Sequence, residues 1–203
     1  LPGIAVGHNC VMMGDLGERP LTRADGVILV PVQVSRTGPD GQYANPGAGF
    51  TFLDSMVLMG RWQPDGRLAW TTSDRVWSDH EKTTRGLFEP TLAKLSDDRL
   101  LMVMRGSNDS RSTLPGRRWC TFSADGGQSW CEPAPWTYAN GDPFFSPSSC
   151  SQLIPWSDGR ILWMGNICAE NPQGNSPRYP FVLGMVDPDS GLLVRDSVVA
   201  LDD

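Results

Sequence analysis

At 203 residues the chain is long enough to bury a real core as one large or two small domains. A net charge of −6 with dispersed acidic residues disfavours a nucleic-acid footprint, and no apolar run approaches the roughly 20 residues of a membrane span. Twenty-two Gly and 17 Pro make the chain turn-rich, which argues against a helical protein.

In chain order, hairpin-like turns alternate with short apolar strands. Asp25-Gly26 precedes Val27-Ile28-Leu29-Val30, and Asp65-Gly66 precedes Leu68-Ala69-Trp70. The segment from Glu89 to Leu95 reads as a strand, followed by Asp97-Asp98 and the apolar run Leu100-Leu101-Met102-Val103. Asn108 to Thr113 reads as a loop. Asp125-Gly126 comes next, then Asp158-Gly159 before Ile161-Leu162-Trp163, and Ser190-Gly191 before Leu192-Leu193-Val194.

Taken alternately, the turns at 25, 97 and 158 are 72 and 61 residues apart, and those at 65, 125 and 190 are 60 and 65 apart. Two interleaved series of one period mean a unit of two hairpins, repeated three times. Four-stranded antiparallel units at this spacing are propeller blades. The expectation is an all-β partial β-propeller of about three blades, near 1–80, 81–140 and 141–203. The alternative is an unrelated run of hairpins in a sandwich. Three blades cannot close a ring, since propellers need about four to eight. The remaining blades of a longer protein are therefore expected as the first partner.

Ser123-Ala124-Asp125-Gly126-Gly127-Gln128-Ser129-Trp130 is the most specific stretch. Asp and Gly suit the positive-φ positions of a tight hairpin, and Ser and Asp side chains bond nearby N–H groups. The octapeptide resembles the Asp box of six-bladed sialidase-type propellers, Ser-x-Asp-x-Gly-x-Thr-Trp, with Ser129 in place of Thr. The resemblance gives Ser123, Asp125, Gly127 and Trp130 a structural role on an outer turn. Arg75-Val76-Trp77 keeps Ser73 and Trp77 but lacks the Asp-Gly turn, as a decayed box would. Cys120 and Cys131 flank the Asp-box hairpin, as a cross-strand disulfide or as small core residues. With Cys10, Cys150 and Cys168 they form no CxxC pair, and only His8 and His80 are present, so neither a metal site nor a Ser-His-Asp triad is expected.

Glu89 and Arg105 each lie eight residues from Asp97, so an antiparallel hairpin brings them to one end. The matching positions in the next unit are Cys150 and Asn166, so the blade template does not require the Glu and Arg. They read either as an ion pair closing the sheet or as a ligand-facing pair. The segment from Glu89 through Arg105 is similar to sialidases, as is the whole chain to bacterial sialidase-like, Asp-box-repeat proteins. That resemblance implies Glu89 as the general base that polarises a tyrosine nucleophile. It implies Arg105 and Arg178, the latter at the start of a strand within Pro177 to Gly184, as members of an arginine trio gripping a sialic acid carboxylate, a task suited to the bidentate guanidinium fork. Such enzymes depart from the two-carboxylate rule of glycosidases.

The departures are equally specific. Tyr179 neighbours Arg178 and so points to the opposite face of a strand, which leaves the nucleophile expected beyond Asp203. Arg19, Asp40 and Asp54 do not suit the family's first arginine or its acid. The chain is thus expected to be a fragment, inactive alone, of an exo-acting glycosidase that cleaves terminal sialic or related acidic sugars. A non-catalytic glycan-binding or structural propeller is the alternative. Gln152 and Asn166 offer amides for sugar hydroxyls, and Phe144 to Ser149 is placed to border the site. No metal or organic cofactor follows from the residues. Family habit points to an exported protein, secreted or periplasmic.

Overall fold

The computed structural model describes residues 1, 4, 11–14 and 19–202, so His8 and Cys10 lie outside the described residues. Its strands form three antiparallel sheets in chain order. The first contains β1 (Val11–Met13), β2 (Leu21–Thr22), β3 (Ile28–Ser35), β4 (Leu53–Trp62) and β5 (Leu68–Thr72). Both β1 and β2 pair with β3, along Val32–Val34 and Ile28–Leu29 respectively, so together they fill one inner strand position. The second sheet runs β6 (Phe88–Lys94), β7 (Leu100–Arg105), β8 (Arg118–Ser123) and β9 (Ala134–Pro135). The third runs β10 (Gln152–Pro155), β11 (Ile161–Asn166), β12 (Phe181–Val186) and β13 (Val199–Asp202), with a 3-10 turn at Arg195–Ser197. The turns at 25, 97 and 158 join the first strand of each sheet to the second, and those at 65, 125 and 190 join the third to the fourth. The fold is all-β, with three blades of a propeller and no closed ring.

The middle sheet explains the packing. Successive side chains along a strand point to opposite faces. Leu100, Met102 and Met104 of β7 join a core with Leu29, Val57 and Met59 of the first sheet. Leu101 and Val103 join another with Leu153, Trp163 and Val182 of the third. Because β7 is covered on both faces, its sequence is an unbroken apolar run rather than an alternation. Trp136 and Trp163 meet edge to face at 5.3 Å, both fully buried. Burying one such ring contributes roughly 4–6 kcal/mol before entropy is counted.

The outer turns of the second and third sheets also grip the preceding sheet. Arg23 donates to the Gly126 carbonyl and the Asp74 N–H to that of Gln128, tying the Asp-box turn to the first sheet. The turn at 187–191 repeats this on the second sheet: Arg99 donates to the Asp189 carbonyl and Trp136 Nε1 to that of Gly191. Cys120 and Cys131 are both free thiols, so the cross-strand disulfide does not form. Cys120 faces the core opposite Ala134, where burial pushes its thiol up to about 12, while Cys131 is exposed and its N–H bonds to Phe122.

Candidate functional site

The two ends of the sheets treat arginine differently. At the first-hairpin turns each arginine is answered by a local aspartate: Arg23 by Asp25, Arg99 by Asp97 and Arg160 by Asp158. At the opposite end β6 begins, β7 ends and β8 begins, with Phe88 opposite Arg105 and Arg105 opposite Arg118. Here Arg105 is answered instead by Glu89, from the first strand of the same hairpin.

Glu89 lies where the β6–β7 register shifts, between Phe88 and Thr91, and its φ is +48°. A non-glycine residue in this left-handed region costs roughly 1–2 kcal/mol, so neighbours must hold it there. Gln33 of β3 accepts the Glu89 N–H at 3.2 Å. Arg105 Nη1 donates to both carboxylate oxygens, at 2.6 and 2.7 Å, and its Nε donates to Ser148 at 2.9 Å. The Arg105 side chain is 7% exposed and that of Glu89 17%. The pair that the residue spacing predicted to share one end is thus a partly buried ion pair, with its guanidinium also anchored to the third sheet's entry loop.

Three further arginines escaped the sequence reading. Arg85 lies over the Phe88 ring at 4.6 Å, and Arg105 lies over the same ring at 4.7 Å. Burial, reinforced by the Arg105 charge, lowers the Arg85 pKa. Arg117 and Arg118 open β8 and bind the segment 144–149: Arg117 donates to the Phe144 carbonyl, and Arg118 to the Ser146 hydroxyl and to Ser149. That segment, predicted to border the site, delivers Ser148 to Arg105. The signal available was the Arg117-Arg118 doublet at the start of a strand.

The other predicted binding residues are arranged less compactly. Arg178 does not open a strand; it is exposed, three residues before β12, with its Nε donating to the Asn175 carbonyl at 3.3 Å. Asn166 is buried and gives its amide hydrogens to the carbonyls of Arg178 and Pro180, at 2.8 and 3.1 Å. Its amide thus fixes the Arg178 backbone. Gln152 opens β10 and lines a cleft of about 600 Å³ along the inner strands, with Arg19, Leu92 and Trp156. Asp54 is buried against Arg36 and Arg75. Tyr179 is exposed. Among the described residues no group of three or more His, Cys, Asp or Glu is placed to hold a metal ion.

The Asp-box side chains build the outer turn between β8 and β9. The Ser123 hydroxyl donates to Asp125 and accepts the Gly127 N–H, each at 2.8 Å. Gly127 has φ +96°, and a Cβ there would meet Leu100 at 3.2 Å, so the turn requires glycine. Burial raises the Asp125 pKa, but hydrogen bonds from the Ser129 hydroxyl and N–H, the Ser123 hydroxyl and the Gln128 N–H outweigh it and bring the value to about 2. Trp130 packs against the core between the first two sheets.

A profile of the BNR repeat-like domain matches residues 8–201, nearly the whole chain. The chain belongs to that family. No curated protein matches this BNR repeat-like chain. Among solved structures it is similar to a protein of unknown function from Dyadobacter fermentans DSM 18053, with TM-score 0.54 and 15% identity over 88% of this chain and 41% of that one. It is also similar to the Hadza microbial sialidase Hz136, with TM-score 0.57 and 16% identity over 96% of this chain and 31% of that one. At such identities the likeness is one of fold. The BNR repeat-like chain spans about two fifths of the first protein's length and under a third of the second's.

Proposed function

We propose that this chain supplies the carboxylate-binding end of a sialidase-like glycoside hydrolase acting on terminal sialic or related acidic sugars. The observation that carries the reading is Glu89, held at positive φ with both oxygens on Arg105. Strain of this kind persists where neighbours over-determine it, and it clusters at ligand sites. Glu89 fixes the Arg105 fork, and Arg85 beyond Phe88 adds a second positive charge, so a substrate carboxylate meets a preset field. Arg178 closes over the sugar from its exposed loop. In the complete protein Glu89 serves as the base partner of a tyrosine from another blade.

Glycan binding without hydrolysis is a second reading, favoured by the same pair: both Glu89 oxygens are already engaged by Arg105. The test is binding of N-acetylneuraminic acid to this chain by NMR, with its methyl ester as control. Binding of the acid, lost with the ester and in Arg105→Ala but kept in Lys94→Ala, supports the site. Equal binding of acid and ester would sink it. Turnover of a fluorogenic sialoside by this chain alone would contradict the assignment of acid and nucleophile to other blades.

A further inference from the structure

The outer seam between the first two sheets is built from residues that take no part in the Glu89 end. There a cavity of about 370 Å³ is lined by Trp77, Ser78, Asp79 and Lys82 on one wall and by Trp130 to Pro133 on the other. This volume is within the range of small-molecule sites, roughly 300–1,000 Å³. Trp77 is 58% exposed, yet its position is fixed from behind. Val76 exchanges two backbone hydrogen bonds with Ser55, at 2.8 and 2.9 Å. The Arg36 guanidinium lies over the Trp77 ring at 5.5 Å and is itself anchored to Asp54 and to the Ser78 carbonyl. A large aromatic ring held rigidly toward water is a platform, because ordering it for a ligand costs little further entropy.

The polar groups select the ligand. Lys82 and Glu132 stand 3.8 Å apart, a loose and exposed pair with donors and acceptors still open to solvent. Arg75 and Asp79 add one charge of each sign, so the lining is balanced. The buried indole nitrogen of Trp130 has no hydrogen-bond partner among the described residues. A cationic ligand is disfavoured, because Arg36 already lies on the Trp77 ring and Lys82 and Arg75 flank the cavity. A free anion meets Asp79 and Glu132. What fits is a neutral ring with one apolar face and a rim of hydroxyls, and we infer that this seam binds a neutral pyranose of a glycan chain, stacked on Trp77. The inference stands on the seam alone and does not depend on the function proposed for the Glu89 end.

The test is a titration of this chain with lactose and with maltose, read on the indole N–H signals of Trp77 and Trp130 by NMR, with tetramethylammonium as a cationic control. The expected result is a saturable shift of both signals with at least one disaccharide, none with tetramethylammonium, and loss of the Trp130 shift in Trp77→Ala. Absence of a saturable shift, its survival in Trp77→Ala, or its reproduction by tetramethylammonium would overturn the inference. Should Trp77→Ala fail to fold, alkylation of the unmodified chain decides. Cys131 lines the cavity and is exposed, as is Cys150 elsewhere. Saturating disaccharide should slow iodoacetamide at Cys131 several-fold relative to Cys150, and an unchanged ratio overturns the site.

Discussion

One nitrogen of Arg105 serves both oxygens of Glu89, at 2.6 and 2.7 Å, from the far end of the hairpin that begins at Glu89 itself. The two strands therefore close on each other through charge where their register is broken. Another hydrogen of the Arg105 fork is directed elsewhere: Nε donates to Ser148 of the next sheet's entry segment. A ligand anion reaching this end would compete for a guanidinium already oriented by its neighbours, which is the condition for a low ordering cost on binding.

Removing Glu89 separates the charge from the strain. Glu89→Ala leaves a buried guanidinium without its carboxylate, a class of change that costs about 3–5 kcal/mol. Glu89→Gly makes the same electrostatic loss but relaxes the positive φ, so it should be the milder variant by about 1 kcal/mol. Urea unfolding of both checks this. Equal midpoints would show that the backbone at Glu89 is not strained.

The Asp-box turn should carry a pH signature. The folded Asp125 carboxyl titrates at about 2, below its ordinary 3.8. A depressed carboxylate stabilises the fold fully above the unfolded value and loses that contribution as pH falls through the folded one. Stability should therefore drop between pH 4 and about 2, and Asp125→Asn should flatten this part of the profile. Ser123→Ala, which orphans the buried Gly127 N–H, should cost about 1–3 kcal/mol at neutral pH. A wild-type profile superimposable on that of Asp125→Asn would refute the assignment.

Much of this was legible in the sequence for physical reasons. Turn chemistry marks itself through Asp-Gly pairs, and a hairpin's register follows from counting outward, which is why Glu89 and Arg105 could be placed together. The alternation of the two turn series likewise revealed the four-stranded unit. Long connections escape such counting. Arg85 reaches Phe88 through a bend, and Arg117 and Arg118 matter through a loop from the next sheet. The sialidase resemblance puts Arg178 at the start of a strand within Pro177 to Gly184, but that strand begins only at Phe181. Cys120 and Cys131 flank one turn yet do not face each other, because Cys120 pairs with Ala134 across the hairpin.

The seam between the second and third sheets should fail as a unit. Trp136 is fully buried, stacks edge to face on Trp163, and gives its indole N–H to the Gly191 carbonyl at 2.9 Å in the third sheet's outer turn. Trp136→Phe keeps much of the apolar volume but leaves that carbonyl unpaired, at a cost of about 1–3 kcal/mol. Trp136→Ala adds a cavity shared by both sheets and should cost about 3–5 kcal/mol. Because one ring serves both sheets, fluorescence and circular dichroism should report a single transition shifted to lower denaturant in each variant. Two separated transitions in the wild-type chain would mean that the blades are stabilised independently, and that the seam contributes less than its packing implies.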